Sequence, residues 1–363
     1  MTLVADAAWM ARALQLAERG LHTTSPNPRV GCVLVKDGMN IGEGWHERAG
    51  EPHAEVHALR AAGKAARGAT AYVTLEPCSH HGRTPPCADA LIEAGVTRVV
   101  VAMQDPNPLV AGRGIARLQA AGIVVECGSM EAAARELNIG FVSRMTRGTP
   151  WVRSKIAASL DGRTALANGV SKWITSDAAR QDVQQLRARS CAVLTGVGTV
   201  LADDPQLNVR DVGATRQPLR VVLDTGLRIS ADAKILQGGN VLIYTASTDM
   251  AKQDTLRARG ADVVVMQTVK DGLPLTAVLS DLAKRGINEV LVEAGKTLNG
   301  ALLKAGLVDE LVLYLAPQLL GDAARGLADL GELTQLEQRV ALAWQDVRHV
   351  GNDIRITARI KHV

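Results

Sequence analysis

The feature that most restricts this chain is a set of residues split over three short segments: Pro52-His53-Ala54-Glu55, Pro77-Cys78 and Pro86-Cys87. The residues after His53 read as the start of a helix, Pro77-Cys78 ends an apolar strand, and Cys87 opens a second helix. For one imidazole and two thiols to meet, both helix starts must gather at one end of the strand between them, which demands layered α/β structure. The donor types suit zinc, which takes nitrogen and thiolate ligands and, with three from protein, keeps a fourth position for water. Zinc lowers the pKa of such a water to about 7.

A carboxylate that moves protons without binding the metal completes such a site, and Glu55 stands where the His-x-Glu, Pro-Cys-x-x-Cys pattern of zinc deaminases places it. The spacing departs from that pattern in one respect, because Ser79 through Pro86 separate the two cysteines. A rival reading takes His53 and His57 as the i, i+4 pair of a zincin. That motif needs Glu directly after the first His, whereas Glu55 is two along and both cysteines would go unused. His57 and His81 are read as structural, and Cys32, Cys127 and Cys191 as core or surface positions.

Length and composition bound what surrounds this site. The 363 residues suit two domains, each large enough for its own core. Hydrophobic residues are 47% and charged residues 21%, an ordinary globular balance. The net charge of +4 comes without a Lys/Arg block, which suits a small anionic substrate. Aromatics are only 2%, too few for the stacking platform of a single-strand binder. Five cysteines at irregular spacing do not make a disulfide framework, so a reducing cytoplasm is expected. Asp6, Arg12 and Glu18 interrupt the first apolar residues, unlike a signal peptide. No stretch reaches the ~18 apolar residues of a membrane span.

Along the chain, apolar residues at helical spacing predict a helix over 6–19. Asp37-Gly38 predicts a hairpin between strands at 30–35 and 40–44. Strands at 71–75, 98–102 and 123–126 alternate with helices starting near 53, 87 and 113, and a helix over 131–139 closes the unit. The polar break Thr146-Arg147-Gly148-Thr149-Pro150 sets the expected domains at 1–147 and 148–363. Strands are then predicted at 152–158, 192–195, 220–224, 241–245, 262–266, 289–293 and 310–315. Residues 327–339 read as a variable surface segment.

The run Pro77 to Cys87 resembles the deaminase half of the bifunctional riboflavin-biosynthesis deaminase–reductases, which carry this longer loop between the cysteines. Ser25-Pro26-Asn27-Pro28-Arg29-Val30-Gly31 and Asp105-Pro106-Asn107-Pro108 are similar to that family's substrate segments. The resemblance implies that Asn27 and His80 contact the base and that Asp105 and Asn107 lie near the ribose phosphate. His46 and Arg83 are expected to complete the substrate pocket. His53, Cys78 and Cys87 are the expected zinc ligands and Glu55 the catalytic residue.

The second half lacks a Rossmann fingerprint, since Gly196-Val197-Gly198 is a lone Gly-x-Gly. The turn after Val290-Leu291-Val292-Glu293-Ala294-Gly295 is a weak phosphate-cradle signal. Ser154 through Arg163, Ser171-Lys172-Trp173-Ile174-Thr175 and Thr195 through Arg210 nevertheless resemble the family's reductase half, whose fold is similar to dihydrofolate reductase. The expected architecture is an N-terminal cytidine-deaminase-like α/β/α domain followed by a C-terminal dihydrofolate-reductase-like α/β domain. The resemblance implies NADPH beside Ala157, Trp173, Thr175, Thr199, Asp203, Thr225 and Gly295. It implies substrate on Lys155, Ser171, Arg187, Leu207, Arg210 and Glu293. Arg187 and Arg210 are suitable forks for its phosphate.

The reactions implied are hydrolytic deamination of a phosphoribosylamino diaminopyrimidinone and then NADPH-dependent reduction of its ribose to a ribityl chain. Lys155 or Asp203 is the expected proton partner of the second step. The expected partners are that small phosphorylated pyrimidine and further copies of the chain, with neither nucleic acid nor membrane. A base deaminase acting on RNA or DNA would need a basic, aromatic surface that the composition lacks. A degenerate, ligand-binding regulator would not keep all these motifs.

Overall fold

The computed structural model describes residues 3–79, 85–108, 110–213, 216–270 and 272–361. The chain divides into two compact units, Met1–Thr149 and Pro150–Val363. The first contains α1 (Leu3–Glu18), β1 (Gly31–Lys36), β2 (Met39–Trp45), α2 (Ala54–Ala62), β3 (Thr70–Val73), α3 (Cys87–Glu93), β4 (Arg98–Val101), α4 (Arg113–Ala120), β5 (Val124–Cys127), α5 (Glu131–Leu137) and α6 (Ile139–Arg147). Its strands form one sheet in the order β2-β1-β3-β4-β5. The β1–β2 hairpin turns at Asp37 and Gly38, whose φ angles of 51° and 77° are what a two-residue turn of this hand needs. β3, β4 and β5 run parallel, and β3 ends at Val73, so Cys78, expected to end a strand, sits in the loop beyond it.

Glycines set how closely the helices lie on this sheet. A Cβ on Gly31 would sit 1.9 Å from the Ala13 carbonyl oxygen of α1. One on Gly44 would sit 2.4 Å from the His57 Cβ and 2.8 Å from the Ala54 carbonyl oxygen of α2. The absence of a side chain at Gly31 seats α1 on β1, and its absence at Gly44 seats α2, and with it His53 and Glu55, directly on β2. Buried Val33, Leu34, Tyr72, Val73, Val99 and Val101 fill the core between the layers.

The spacing predicts a single closing helix over 131–139; the structure instead has two helices, broken at Asn138 (φ −108°, ψ 22°). The Asn138 amide leaves the helix to accept from the Arg29 backbone N–H at 2.7 Å and to donate to the Arg29 carbonyl at 2.9 Å. That distant partner is invisible to periodicity. α6 then runs through Arg147 and stops at Gly148, where φ is 70°.

The second unit contains β6 (Trp151–Ser159), β7 (Arg163–Ala165), α7 (Asp177–Arg189), β8 (Ala192–Gly196), α8 (Val197–Asp203), β9 (Leu219–Leu223), β10 (Val241–Thr245), α9 (Met250–Ala258), β11 (Ala261–Val265), α10 (Leu275–Lys284), β12 (Glu289–Val292), α11 (Lys296–Lys304), β13 (Glu310–Ala316), β14 (Arg325–Gly326), β15 (Leu342–Val350) and β16 (Asp353–Ile360). Nine strands form one sheet in the order β11-β10-β9-β8-β12-β6-β13-β16-β15. The strands from β11 to β13 are parallel, and the β15–β16 hairpin adds antiparallel to β13. The inner strands are apolar runs such as Val290-Leu291-Val292, fully buried as parallel strands covered on both faces should be. The C-terminal hairpin was not expected. β15 carries Gln345, Asp346, Arg348 and His349 among its apolar residues, so it lacks the clean alternation that marks a strand.

Candidate functional site

The first constellation assembles at the C-terminal end of β3. His53 is the N-cap of α2, Glu55 lies in its first turn, Cys78 follows β3, and Cys87 begins α3. His53 Nδ1 lies 3.2 Å from Cys87 Sγ and 3.6 Å from Cys78 Sγ, and the three donor atoms fall within 4.8 Å of one another. A tetrahedral zinc with ordinary bond lengths separates its nitrogen and sulfur ligands by about 3.5 Å, so the donor set fits that metal. The Cys87 backbone N–H donates to Cys78 Sγ at 3.3 Å, which fixes the two sulfurs relative to each other. Cys78 is drawn down to about 4 by the Cys87 hydrogen bond and by His53, while Cys87 is pushed up by donating to Cys78 and by burial.

Glu55 is only 3% exposed. Burial and then the Cys78 charge push its carboxyl up to about 7. A group poised there both takes and gives a proton at neutral pH.

Of the residues expected on the substrate, His46 and Asn27 lie beside this centre, held by visible restraints. His46 is buried, its ring edge-on to His53 at 5.3 Å. Burial draws its pKa down, which favours the neutral ring. Its Nδ1 lies 3.2 Å from the Pro52 carbonyl oxygen and so carries the proton. Its Nε2 can then accept from the Asn27 Nδ2, 3.1 Å away. His46 therefore orients Asn27. Asp105 Oδ1 accepts from the Asn107 backbone N–H at 2.8 Å, which tightens their turn. His80 and Arg83 lie outside the described residues.

Sequence reading missed Glu76. This buried carboxylate, two residues before Cys78, accepts from the backbone N–H groups of Asp105, Gly112, Gly114 and Ile115 at 2.8–3.2 Å. It ties the Asp105 loop and the start of α4 to the strand that delivers Cys78. A carboxylate closing the apolar strand Ala71 to Leu75 was the available signal, because a buried charge needs several donors.

In the second unit one cleft of about 1330 Å³ is lined by all thirteen residues expected on substrate or cofactor. At its floor Arg187 grips Glu293 with two bonds, Nε to Oε1 at 2.6 Å and Nη2 to Oε2 at 2.9 Å. A third bond runs from Arg187 Nη1 to the Asn208 carbonyl at 3.1 Å. The guanidinium expected on a phosphate is thus bound first to the neighbouring carboxylate. Burial pushes Glu293 up, but Arg187 and Lys155 outweigh it and leave the carboxyl below its ordinary value. Burial draws Lys155 down, with Glu293 opposing and Arg187 adding to the fall. Arg210 is exposed, its Nη1 3.4 Å from Gln206 Oε1. Leu207 is buried with φ at 52°, a left-handed conformation uncommon outside glycine.

Around the mouth, Lys172 Nζ lies 3.6 Å from Asp203. The Arg180 guanidinium stacks 4.4 Å from the centroid of the exposed Trp173 ring and donates to the Thr175 carbonyl at 2.6 Å. Gly295 is the N-cap of α11, so backbone N–H groups open toward the cleft without a competing capping side chain. Ala157, Ser171, Thr199 and Thr225 complete the lining.

Family models cover both units. Residues 4–103 match the cytidine and deoxycytidylate deaminase zinc-binding region, and residues 150–356 match the RibD C-terminal domain. The chain is 53% identical to riboflavin biosynthesis protein RibD of Escherichia coli, over 96% of this chain and 98% of that one. It is 47% identical to RibD of Haemophilus influenzae, over 99% and 98%. Among solved structures, Acinetobacter baumannii RibD is similar at TM-score 0.93 and 49% identity, covering 99% of this chain and 100% of that one. A diaminohydroxyphosphoribosylaminopyrimidine deaminase/5-amino-6-(5-phosphoribosylamino)uracil reductase from Thermotoga maritima is similar at TM-score 0.88 and 34% identity, covering 99% of each.

Proposed function

The chain belongs to the RibD family of bifunctional riboflavin-biosynthesis enzymes, and from that premise we propose which of its residues carry each reaction. It is a zinc-dependent deaminase of 2,5-diamino-6-(5-phosphoribosylamino)pyrimidin-4(3H)-one and an NADPH-dependent reductase of 5-amino-6-(5-phosphoribosylamino)uracil. Deamination belongs to residues 1–147 and reduction to residues 148–363. The observation that carries this division is that the His53, Cys78 and Cys87 donor set lies in the first compact unit and the residue-lined cleft in the second.

His53, Cys78 and Cys87 hold the zinc. Zinc supplies an activated water when bound, and NADPH supplies a hydride. Glu55 takes the proton of the attacking water and returns it to the departing ammonia. Asn27, oriented by His46, reads the base together with His80 and Arg83. Asp105 and Asn107 meet the ribose phosphate on the loop that Glu76 restrains.

In the cleft, Lys155, Ser171, Arg187, Leu207, Arg210 and Glu293 hold the ribosylamino substrate. Ala157, Trp173, Thr175, Thr199, Asp203, Thr225 and Gly295, which line the same cleft, would hold the cofactor. Reduction at the anomeric carbon breaks its bond to the ring oxygen, which then needs a proton. Lys155 is the better donor of the two expected, because Asp203 is half-exposed beside Lys172 while Lys155 faces Glu293 and Arg187 inside the cleft.

Arg210→Ala tests the phosphate assignment. Loss of a charge-assisted fork worth roughly 1.5–3 kcal/mol should raise KM for reduction by about 10–100-fold. Ammonia release should not change. An unchanged KM would remove Arg210 from the phosphate site.

Copies of the chain associate, and the enzyme works in the cytoplasm. Free thiols serving as ligands favour a reducing compartment. None of the described helices is long and apolar enough to cross a membrane. Support for association comes from β15, an edge strand whose Trp344 and Val347 are 64% and 59% exposed. Sedimentation should give a multiple of the 38.4 kDa chain mass, and a 38.4 kDa species alone would refute association.

A further inference from the structure

Lys155 has a neighbour that no motif announced. Its Nζ lies 5.9 Å from the centroid of the Tyr314 ring, within the reach of a cation–π contact. Tyr314 is fully buried on β13, next to β6, the strand that carries Lys155. Its hydroxyl donates to Asp182 Oδ2 of α7 at 2.5 Å. The same oxygen accepts from Arg355 Nη1 of β16 at 2.8 Å. Arg355 Nη2 in turn lies 3.5 Å from Asp346 on β15. Asp353, also on β16, accepts from the N–H and the hydroxyl of Ser176, the N-cap of α7, at 2.7 Å each. The C-terminal hairpin therefore braces the helix that supplies Asp182 and Arg187.

Electrostatics gives this arrangement a use. The groups facing Lys155 are Glu293 after β12, Arg187 on α7 and the Tyr314 ring on β13. Glu293 is already gripped by Arg187 through two bonds, so one carboxylate serves two cations in a desolvating cleft. The negative face of an aromatic ring is the remaining partner for the ammonium. Donation to a carboxylate that Arg355 holds in place fixes that ring and makes it more electron-rich.

We propose that Tyr314 is a positioning residue for reduction: its ring seats the Lys155 ammonium over the cleft, and Asp182 and Arg355 lock that ring from the C-terminal hairpin. This rests on the assignment of Lys155 as the proton donor. A seat of this kind keeps Lys155 charged at pH values where burial alone would neutralise it.

The test is the pH profile of kcat/KM for NADPH oxidation by the full chain, supplied with deaminated substrate. Activity needs the ammonium, so it falls as pH rises through the Lys155 pKa. Tyr314→Leu should move that basic limb down by roughly 0.5–1.5 pH units. Tyr314→Phe, which keeps the ring and loses the anchor, should move it the same way by less. NADPH binding, read by fluorescence titration, and ammonia release should stay unchanged in both variants. Lys155→Met should abolish the limb. If Lys155→Met still reduces at the normal rate with its limb intact, the assignment of Lys155 fails and takes the proposal with it. If Lys155→Met is impaired but Tyr314→Leu keeps the parent limb, the seat alone is refuted. Should Tyr314→Leu not accumulate as folded protein, an unmoved limb in Tyr314→Phe refutes it equally.

Discussion

Glu55→Gln should slow ammonia release by about 10²–10⁴-fold or more while zinc stays bound. The glutamine keeps the shape of a side chain that is 3% exposed in the first turn of α2, so packing changes little. What it loses is the ability to accept a proton and hand it on. Burial and the neighbouring Cys78 hold the Glu55 carboxyl up at about 7, where both halves of that exchange are open at neutral pH. An amide titrates nowhere near that range. Metal content should be unaffected, because the proposed donor atoms are the His53 nitrogen and the two sulfurs, without Glu55. Near-normal ammonia release by this variant would show that another group carries the proton.

Cys78→Ser should act one step earlier and lose the metal itself. A serine hydroxyl is a far weaker acid than a thiol that the Cys87 hydrogen bond and His53 already draw down, so it does not supply the anionic donor that zinc takes. His53 and Cys87 alone make a two-donor site. The parent should hold about one zinc per chain through three protein ligands, and the variant well below that after identical purification. Deamination should fall with the metal. Retention of a full equivalent of zinc would mean that the ligand set is wrong.

What could be read in advance followed how local the signal was. The hairpin at Asp37-Gly38 and the buried run Val290-Leu291-Val292 declare themselves within a few residues, and both stand in the structure as expected. His53, Glu55, Cys78 and Cys87 are scattered, yet His53, Glu55 and Cys87 stand at helix starts that the sequence marks, and the structure brings the His53, Cys78 and Cys87 donor atoms together; Cys78 sits beyond the end of β3 at Val73 rather than at a strand end. The missed features depend on remote partners. Asn138 breaks a helix because Arg29, 109 positions away, claims its amide. Glu76 reads as an ordinary strand-end carboxylate until the N–H groups of residues 105–115 converge on it. Tyr314 and Asp182 lie 132 positions apart and meet only because β13 and α7 pack in the same unit. The β15–β16 hairpin escaped for another reason: an edge strand exposed on much of its length has no need of alternating apolar residues.

On the proposed division, the two reactions use separate residues in separate units, and the decisive measurement gives the Glu55→Gln chain a substrate that has already been deaminated and follows NADPH absorbance. The two constellations share no residue, and each unit has its own core. The variant should therefore oxidise NADPH at close to the parent rate while releasing almost no ammonia from the diamino substrate. Loss of NADPH oxidation on the deaminated substrate would contradict the two-site account.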